Sequence, residues 1–190
     1  KGARTVLACR DMDKAHAAMV RIQTEIPDAQ VETMQLDLAS LKSIHRFAEA
    51  FASHHEQLHV LMNNAGIMFV PYSQTEDGFE RHLGVNHLGH FALTGLLLGL
   101  LASTPGARVV NVSSQGHRMG RMDLDNFLYE GGRGYRRTEA YGRSKLSNLL
   151  FTYELDRRFR AHNIGAIAVA AHPGSTRGTN LGRSGWFGIV

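Results

Sequence analysis

The chain has 190 residues, 43% of them hydrophobic and 20% charged, the ordinary balance of one globular domain with a core of its own. Its single cysteine, Cys9, excludes an internal disulfide framework and a cysteine-based metal cluster, and suits a reducing, cytoplasmic compartment. The net charge of +4 permits an anionic partner without requiring one, because the basic residues are spread along the chain.

In chain order, residues 4–9 (RTVLAC) form the first apolar, β-branched run. The following DMDKAHAAMVRIQTEI sets Ala15, Met19, Ile22 and Ile26 on one helical stripe, with Asp11 read as the N-cap. Residues 31–38 (VETMQLDL) read as a second strand, and a second helix follows with Leu41, Ile44, Phe47, Ala48 and Phe51 aligned behind an N-cap at Ser40. Residues 58–64 (LHVLMNN) form a third strand, and Glu76 to Leu101 is expected to be one long helix, apolar in its second half. The apolar run from Phe91 to Ser103 is shorter than the ~20 residues that span a bilayer, so a buried helix is expected and no membrane segment. Residues 108–114 and 165–171 are further strands, with a helix over 138–161 between them and EGGRGYRR (130–137) as a mobile loop.

Strand alternating with helix, and strands apolar throughout, predict an α/β domain: a doubly wound parallel sheet covered on both faces. Such a sheet opens with a strand, a glycine-rich turn and a helix N-terminus that holds a pyrophosphate. Here Lys1 and Gly2 stand where that helix would end. The expectation is one Rossmann-like domain over residues 1–190, incomplete at its N-terminus and at its C-terminus.

Ligands of an open parallel sheet bind at the carboxyl ends of the strands. Those ends read CRD, LDL, NNAG, NVSS and HPGST, each small, polar or glycine-bearing, as a crevice for a polar cofactor requires. Tyr141 and Lys145 lie one turn apart on a helix and therefore share a face. A phenol of ordinary pKa about 10 is a poor base near neutrality, and a neighbouring ammonium favours its charged form.

Asn63-Asn64-Ala65-Gly66, Asn86 in GVNHLGHF, Ser114 in NVSS, Tyr141-Gly-Arg-Ser-Lys145 and Pro173-Gly174 together resemble the short-chain dehydrogenases/reductases. The resemblance covers essentially the whole chain, and VLACRD, NNAGIM and VNHLGHF look most like the retinol-dehydrogenase-like branch. It implies hydride exchange between a nicotinamide cofactor and a small-molecule alcohol or carbonyl substrate. Tyr141 would be the acid/base, Lys145 would tune it and hold the nicotinamide ribose, and Ser114 would bind the substrate oxygen. Asn86 would anchor a water linking Lys145 to solvent. For the cofactor, the resemblance implies Asn64, Ala65 and Gly66 beside the adenosine ribose, Asp37 at the adenine edge, and Pro173 and Gly174 near the nicotinamide. Either Thr176 or Thr179 would meet the carboxamide, with Thr179 favoured because TNL matches the family's run. Cys9 stands where NAD-preferring members carry an acid and Arg10 follows it, which favours NADP over NAD. The family also implies a homodimer or homotetramer, and an opening strand lying between the strands at 4–9 and 58–64, so that a gap or forced closure is expected there.

A double-bond reductase of the protochlorophyllide type is the alternative within enzymes, and a catalytically silent nucleotide-sensing or scaffold relative is the alternative outside them. The histidine pairs His55/His59 and His87/His90 lack a third ligand at a convincing spacing, so no metal is expected. GGRGYRR is read as a solvated insertion rather than a nucleic-acid segment. The long segment between Ser114 and Tyr141 should border the substrate mouth, and residues 180–190 are a lid candidate.

Overall fold

The computed structural model describes residues 2–174; Thr176, Thr179 and the lid candidate at 180–190 lie outside the described residues. Five strands form in the predicted places: β1 (Thr5–Cys9), β2 (Val31–Gln35), β3 (Val60–Asn63), β4 (Arg108–Val112) and β5 (Ile167–Ala171). Every strand pair is parallel, β1 with β2 and, separately, β3 with β4 and β4 with β5. With helices in the crossovers, this is the doubly wound, Rossmann-like α/β arrangement. The strands fall into two sheets, and β1 and β3 do not pair. The division stands where the gap is expected.

Helix α1 (Met12–Glu25) begins at Asp11, whose carboxylate accepts from Lys14 N at 3.1 Å. Its stripe buries Ala15 but leaves Ile26 exposed. Helix α2 (Leu41–His54) is capped by Ser40 and buries Ile44, Phe47, Ala48 and Phe51, a set at helical spacing that meets Leu36, Leu93 and Leu97 in one apolar cluster.

The expected single helix over Glu76–Leu101 is not one helix. A bridge between Gln74 and Glu80 and a turn with Gly78 at φ +83° occupy its first residues. Helical backbone starts at α3 (Arg81–Leu83), widens into a π-turn over Gly84–Leu88 and continues as α4 (Gly89–Leu96). Leu97, at φ −93° and ψ 5°, breaks the run before α5 (Leu98–Ser103). The apolar run is also not buried all round: Leu93, Leu97 and Leu101 face the core, while Phe91, Leu96 and Leu98 are exposed.

Helix α6 (Arg137–Ala161) is the longest. Its buried stripe is polar at Tyr141, Lys145, Asn148 and Thr152 and apolar only at Leu155 and Phe159. The register Val60↔Arg108↔Ile167 and Met62↔Val110↔Val169 assigns alternate residues of β3–β5 to opposite faces. Val109 and Ala168 pack under Leu101, Leu155 and Phe159. On the other face Val60, Met62, Ile167 and Val169 are exposed among the described residues. Among the described residues, α4, α5 and α6 all pack on the opposite face of that sheet.

The segment read as a mobile loop is tied down. After a short 3-10 turn at Gln115–Met119 and another at Glu130–Gly132, the Tyr135 hydroxyl donates to Val70 O at 2.9 Å. Tyr129 is buried beneath the Arg143 guanidinium, whose carbon lies 4.0 Å from the ring centroid, and Arg143 Nη1 donates to the carbonyls of Asn126 and Phe127.

Candidate active site

Four elements converge at the carboxyl ends of β3 and β4. Beyond β4, Ser114 caps the 3-10 turn with its Oγ accepting from Gly116 N at 3.1 Å. This turn lies directly on α6 because glycine meets glycine. A Cβ at Gly142 would stand 2.5 Å from Gly120 N, and one at Gly116 would stand 2.7 Å from Tyr141 Cε1, so side chains there would force the turn off the helix. The seam brings Ser114 beside the Tyr141 ring.

Lys145 is buried next to that ring, its Nζ 5.9 Å from the centroid, and donates to Val112 O at 2.9 Å. Burial pushes its ammonium down to about 8. Its own carbonyl accepts from Ser113 Oγ, and Asn148 Nδ2 donates to the same Val112 carbonyl, so the end of β4 is stitched to one face of α6. Asn86, in the π-turn and fully buried, accepts from Ile67 N at 2.8 Å and donates to Ile67 O and to Ser144 Oγ. It thereby ties the turn after β3 to α6. Gly66 lies inside that turn, where a Cβ would come within 3.2 Å of Asn86 Oδ1 and 3.5 Å of Lys145 Nζ. A π-turn exposes backbone groups that an α-helix would use, and is common at functional sites. Here the Asn86 carbonyl accepts from His90 Nδ1 at 3.0 Å. His90 is buried and held down to about 4, chiefly by desolvation.

The structure therefore brings Asn86, Ser114, Tyr141, Lys145 and Gly66 together. Asn64 and Ala65 are exposed on the turn beyond β3, and Pro173 and Gly174 are exposed beyond β5. Arg10 is exposed at the end of β1. Both carboxylate oxygens of Asp11 are engaged by Lys14, one by its N–H and one by Nζ at 2.8 Å. Asp37 is used locally, its Oδ1 accepting from Ala39 N at 2.9 Å. Among the described residues no group of three or more His, Cys, Asp or Glu comes together as a metal centre.

The arrangement can hold and move a proton at the Tyr141 hydroxyl beside a cation and a hydroxyl donor, at a strand-end crevice. Residues 1–127 match the short chain dehydrogenase family. The chain belongs to that family. Retinol dehydrogenase 12 of Bos taurus is 48% identical over 177 residues, which are 93% of this chain and 55% of that protein. Retinol dehydrogenase 11 of Homo sapiens is 48% identical over 93% of this chain and 54% of its own length. The chain thus spans about half the length of the curated relatives it matches. A solved structure of an uncharacterized protein from Mycobacterium paratuberculosis superposes with a TM-score of 0.81 at 46% identity, over 96% of this chain and 63% of that one. The short-chain dehydrogenase/reductase family is one of oxidoreductases that bind a nicotinamide dinucleotide. The residues present fit such a group: Gly66 leaves room at the turn, the strand-end residues 64, 65, 173 and 174 are exposed, and Lys145 keeps donors beyond the one given to Val112.

Sequence reasoning missed Gly120 and Gly142 as a seam, Ser144 as the partner of Asn86, and a buried ladder behind the site. In that ladder Asn63 Nδ2 donates to Thr94 Oγ1 and to Asn111 Oδ1, and Asn111 Nδ2 donates to Thr152 Oγ1 at 2.9 Å. The available signal was two asparagines at corresponding places in two strands, with threonines on the helices that cover them.

Proposed function

We propose that the chain carries the acid–base site of an oxidoreductase that exchanges hydride between NADP(H) and an alcohol or carbonyl substrate. The observation that carries this reading is the glycine seam between residues 120 and 142, since it holds the Ser114 turn on the Tyr141 ring. Tyr141 takes the hydroxyl proton of an alcohol, or gives one to the oxygen of a carbonyl. The Lys145 ammonium stabilises the negative oxygen left on Tyr141, and the Ser114 hydroxyl donates to the substrate oxygen as charge collects there. Asn86 holds the turn against Lys145, and its place in the π-turn supports its part in proton exchange with solvent. The bound nicotinamide supplies or accepts the hydride.

Lys145 would also hold the nicotinamide ribose, Asn64, Ala65 and Gly66 the adenosine ribose, and Asp37 the adenine edge. Pro173, Gly174 and Thr179 would frame the nicotinamide. Arg10 selects NADP: Asp11 is committed to Lys14 and the helix cap, leaving the arginine to meet a 2′-phosphate. The exposed Phe91, Leu150 and Tyr153 on α4 and α6 support assembly into a homodimer or homotetramer.

The test is Tyr141→Phe in the full-length protein, assayed with ketones, aldehydes and retinoids by NADPH absorbance. Turnover should fall by about 10²–10⁴-fold with NADPH affinity nearly unchanged. Retention of more than a tenth of the wild-type rate removes Tyr141 from the role. Tight NADPH binding without turnover of any substrate in the wild type would favour a catalytically silent protein.

A further inference from the structure

A second buried polar cluster lies beside the Tyr141 ring. Glu80 caps the helical run, its Oε1 accepting from His82 N at 2.9 Å and its Oε2 from Leu83 N at 2.8 Å. The same Oε1 stands 3.0 Å from His82 Nδ1. A carboxylate can only accept, so the His82 proton sits on Nδ1 and Nε2 keeps its lone pair. That lone pair faces Val70 N at 3.3 Å. The Tyr135 hydroxyl, 3.0 Å from His82 Nδ1, donates to the carbonyl of the same residue, Val70. Glu80 and His82 are buried completely or nearly so.

The cluster thus claims both backbone groups of one residue, and the neighbouring residue shows why that matters. Phe69 adopts φ +56°, a left-handed backbone that a side-chain-bearing residue keeps only where its surroundings over-determine it. In that conformation its ring meets the Tyr141 ring edge-on at 5.3 Å. The His82 ring meets the same tyrosine at 6.2 Å, also edge-on. No hydrogen bond from this cluster reaches Tyr141; the contact is made by rings alone.

We propose that Glu80, His82 and Tyr135 are positioning residues for Tyr141: by clamping Val70 they hold Phe69 and His82 as two walls that fix the tyrosine ring where Lys145 and Ser114 can serve it. The inference rests on the Tyr141 reading above. It also assigns the inserted segment a function, since Tyr135 brings that segment to the clamp.

The experiment uses the full-length protein and four variants: Tyr135→Phe, His82→Leu, His82→Gln and Tyr141→Phe, with double variants in the Tyr141→Phe background. Loss of one buried hydrogen bond is worth about five- to tenfold, so Tyr135→Phe and His82→Leu should lower kcat by that factor and leave the KM for NADPH unchanged. His82→Gln, which restores an acceptor for Val70 N, should recover part of the loss. Neither clamp variant should lower the residual rate of Tyr141→Phe further, because residues acting through one group are not additive. Losses that multiply in the double variants, or a raised KM for NADPH with kcat unchanged, would overturn the clamp. If His82→Leu does not fold, Tyr135→Phe decides alone, since it keeps the ring and removes only the hydroxyl. An unaffected Tyr141→Phe would instead overturn the reading beneath, so the two failures are distinguishable.

Discussion

The two-stranded and three-stranded sheets are joined to their helices by different forces. Around β1–β2 the contacts are apolar: Val6, Met34 and Leu36 meet Ile44, Phe47, Phe51, Leu93 and Leu97. Behind β3–β5 an apolar cluster covers one end, but toward the strand ends the layers are bolted by side-chain hydrogen bonds, from Asn63 and Asn111 to Thr94 and Thr152 and from Asn86 to Ser144. Apolar packing tolerates volume-conserving exchange, whereas a buried polar network fails when one member goes. Tyr141, Lys145, Ser114 and Asn86 all stand over the bolted half. Arg10 stands at the tip of the apolar half. Changes to the bolting side chains should therefore cost stability, changes to the site above them should cost turnover, and changes at the tip of the second half should alter cofactor choice with the fold unharmed.

The sharpest way to break this contrast is Lys145→Met. Proton transfer without its charge should slow by about 10²–10⁴-fold, and NADPH should bind more weakly through loss of the ribose contacts. Stability should move the other way. The folded state holds Lys145 near 8 against an ordinary 10.5, so at neutral pH the protein carries a buried charge at a cost of roughly 3 kcal/mol. Replacing it with an apolar side chain of similar length should raise the midpoint of thermal unfolding even as activity disappears. A variant that is both inactive and less stable would show that the lysine serves as a structural bolt.

Asn111→Leu comes next in size. It removes the acceptor of Asn63 and the donor to Thr152 in one step, in a site with no access to water. Each orphaned group costs about 1–3 kcal/mol, so a loss of roughly 3–4 kcal/mol is expected in denaturant unfolding. Ile44→Leu or Leu93→Met, in the apolar cluster that packs on β1–β2, should cost under about 1.5 kcal/mol. Equal losses at the two kinds of position would erase the distinction between the sheets.

The same half should respond to acid. His90 titrates near 6.5 when unfolded and near 4 when folded. Between those values the unfolded chain binds the extra proton, so stability must fall as pH drops from about 6.5 toward 4. The ceiling is about 3 kcal/mol. His90→Gln, which can still donate to the Asn86 carbonyl, should flatten that part of the stability–pH curve; an unchanged slope would place the acid sensitivity elsewhere.

How legible all this was depended on the range of the interactions. The five strands could be read because parallel strands are short apolar runs that end in small polar residues, and Ser40 and Asp11 could be read as caps because a cap is local. The π-turn could not. The segment GVNHLGHF carries no helix breaker, and nothing in it shows that Gly89 abuts the Leu38 carbonyl, where a Cβ would come within 2.6 Å. The same holds for Arg143, which lies inside the Tyr141–Lys145 motif and looks like a surface residue. Only the tertiary structure supplies the Tyr129 ring and the two carbonyls that bury it. The spacing of Tyr141 and Lys145 put them on one helical face, but the clamp around them joins residues 70, 82 and 135, which no local pattern connects.

The smallest expected effect is the one that isolates the apolar half. Arg10 is exposed, no hydrogen bond ties it to the fold among the described residues, and its neighbour Asp11 is occupied by Lys14. Arg10→Ala should therefore leave thermal stability and maximal turnover close to wild type. A charge-assisted contact to phosphate is worth about 1.5–3 kcal/mol, so affinity for NADPH should drop by roughly tenfold or more while affinity for NADH stays level. Arg10→Lys should keep part of the preference, as a point charge without the fork. Titrating both cofactors into each variant gives the ratio directly. If the two affinities fall together, Arg10 is contributing general positive potential and the selector lies elsewhere on the cofactor's path. If only NADPH suffers, the exposed tip of β1 chooses the cofactor, while the bolted half carries out the chemistry on whichever one is bound.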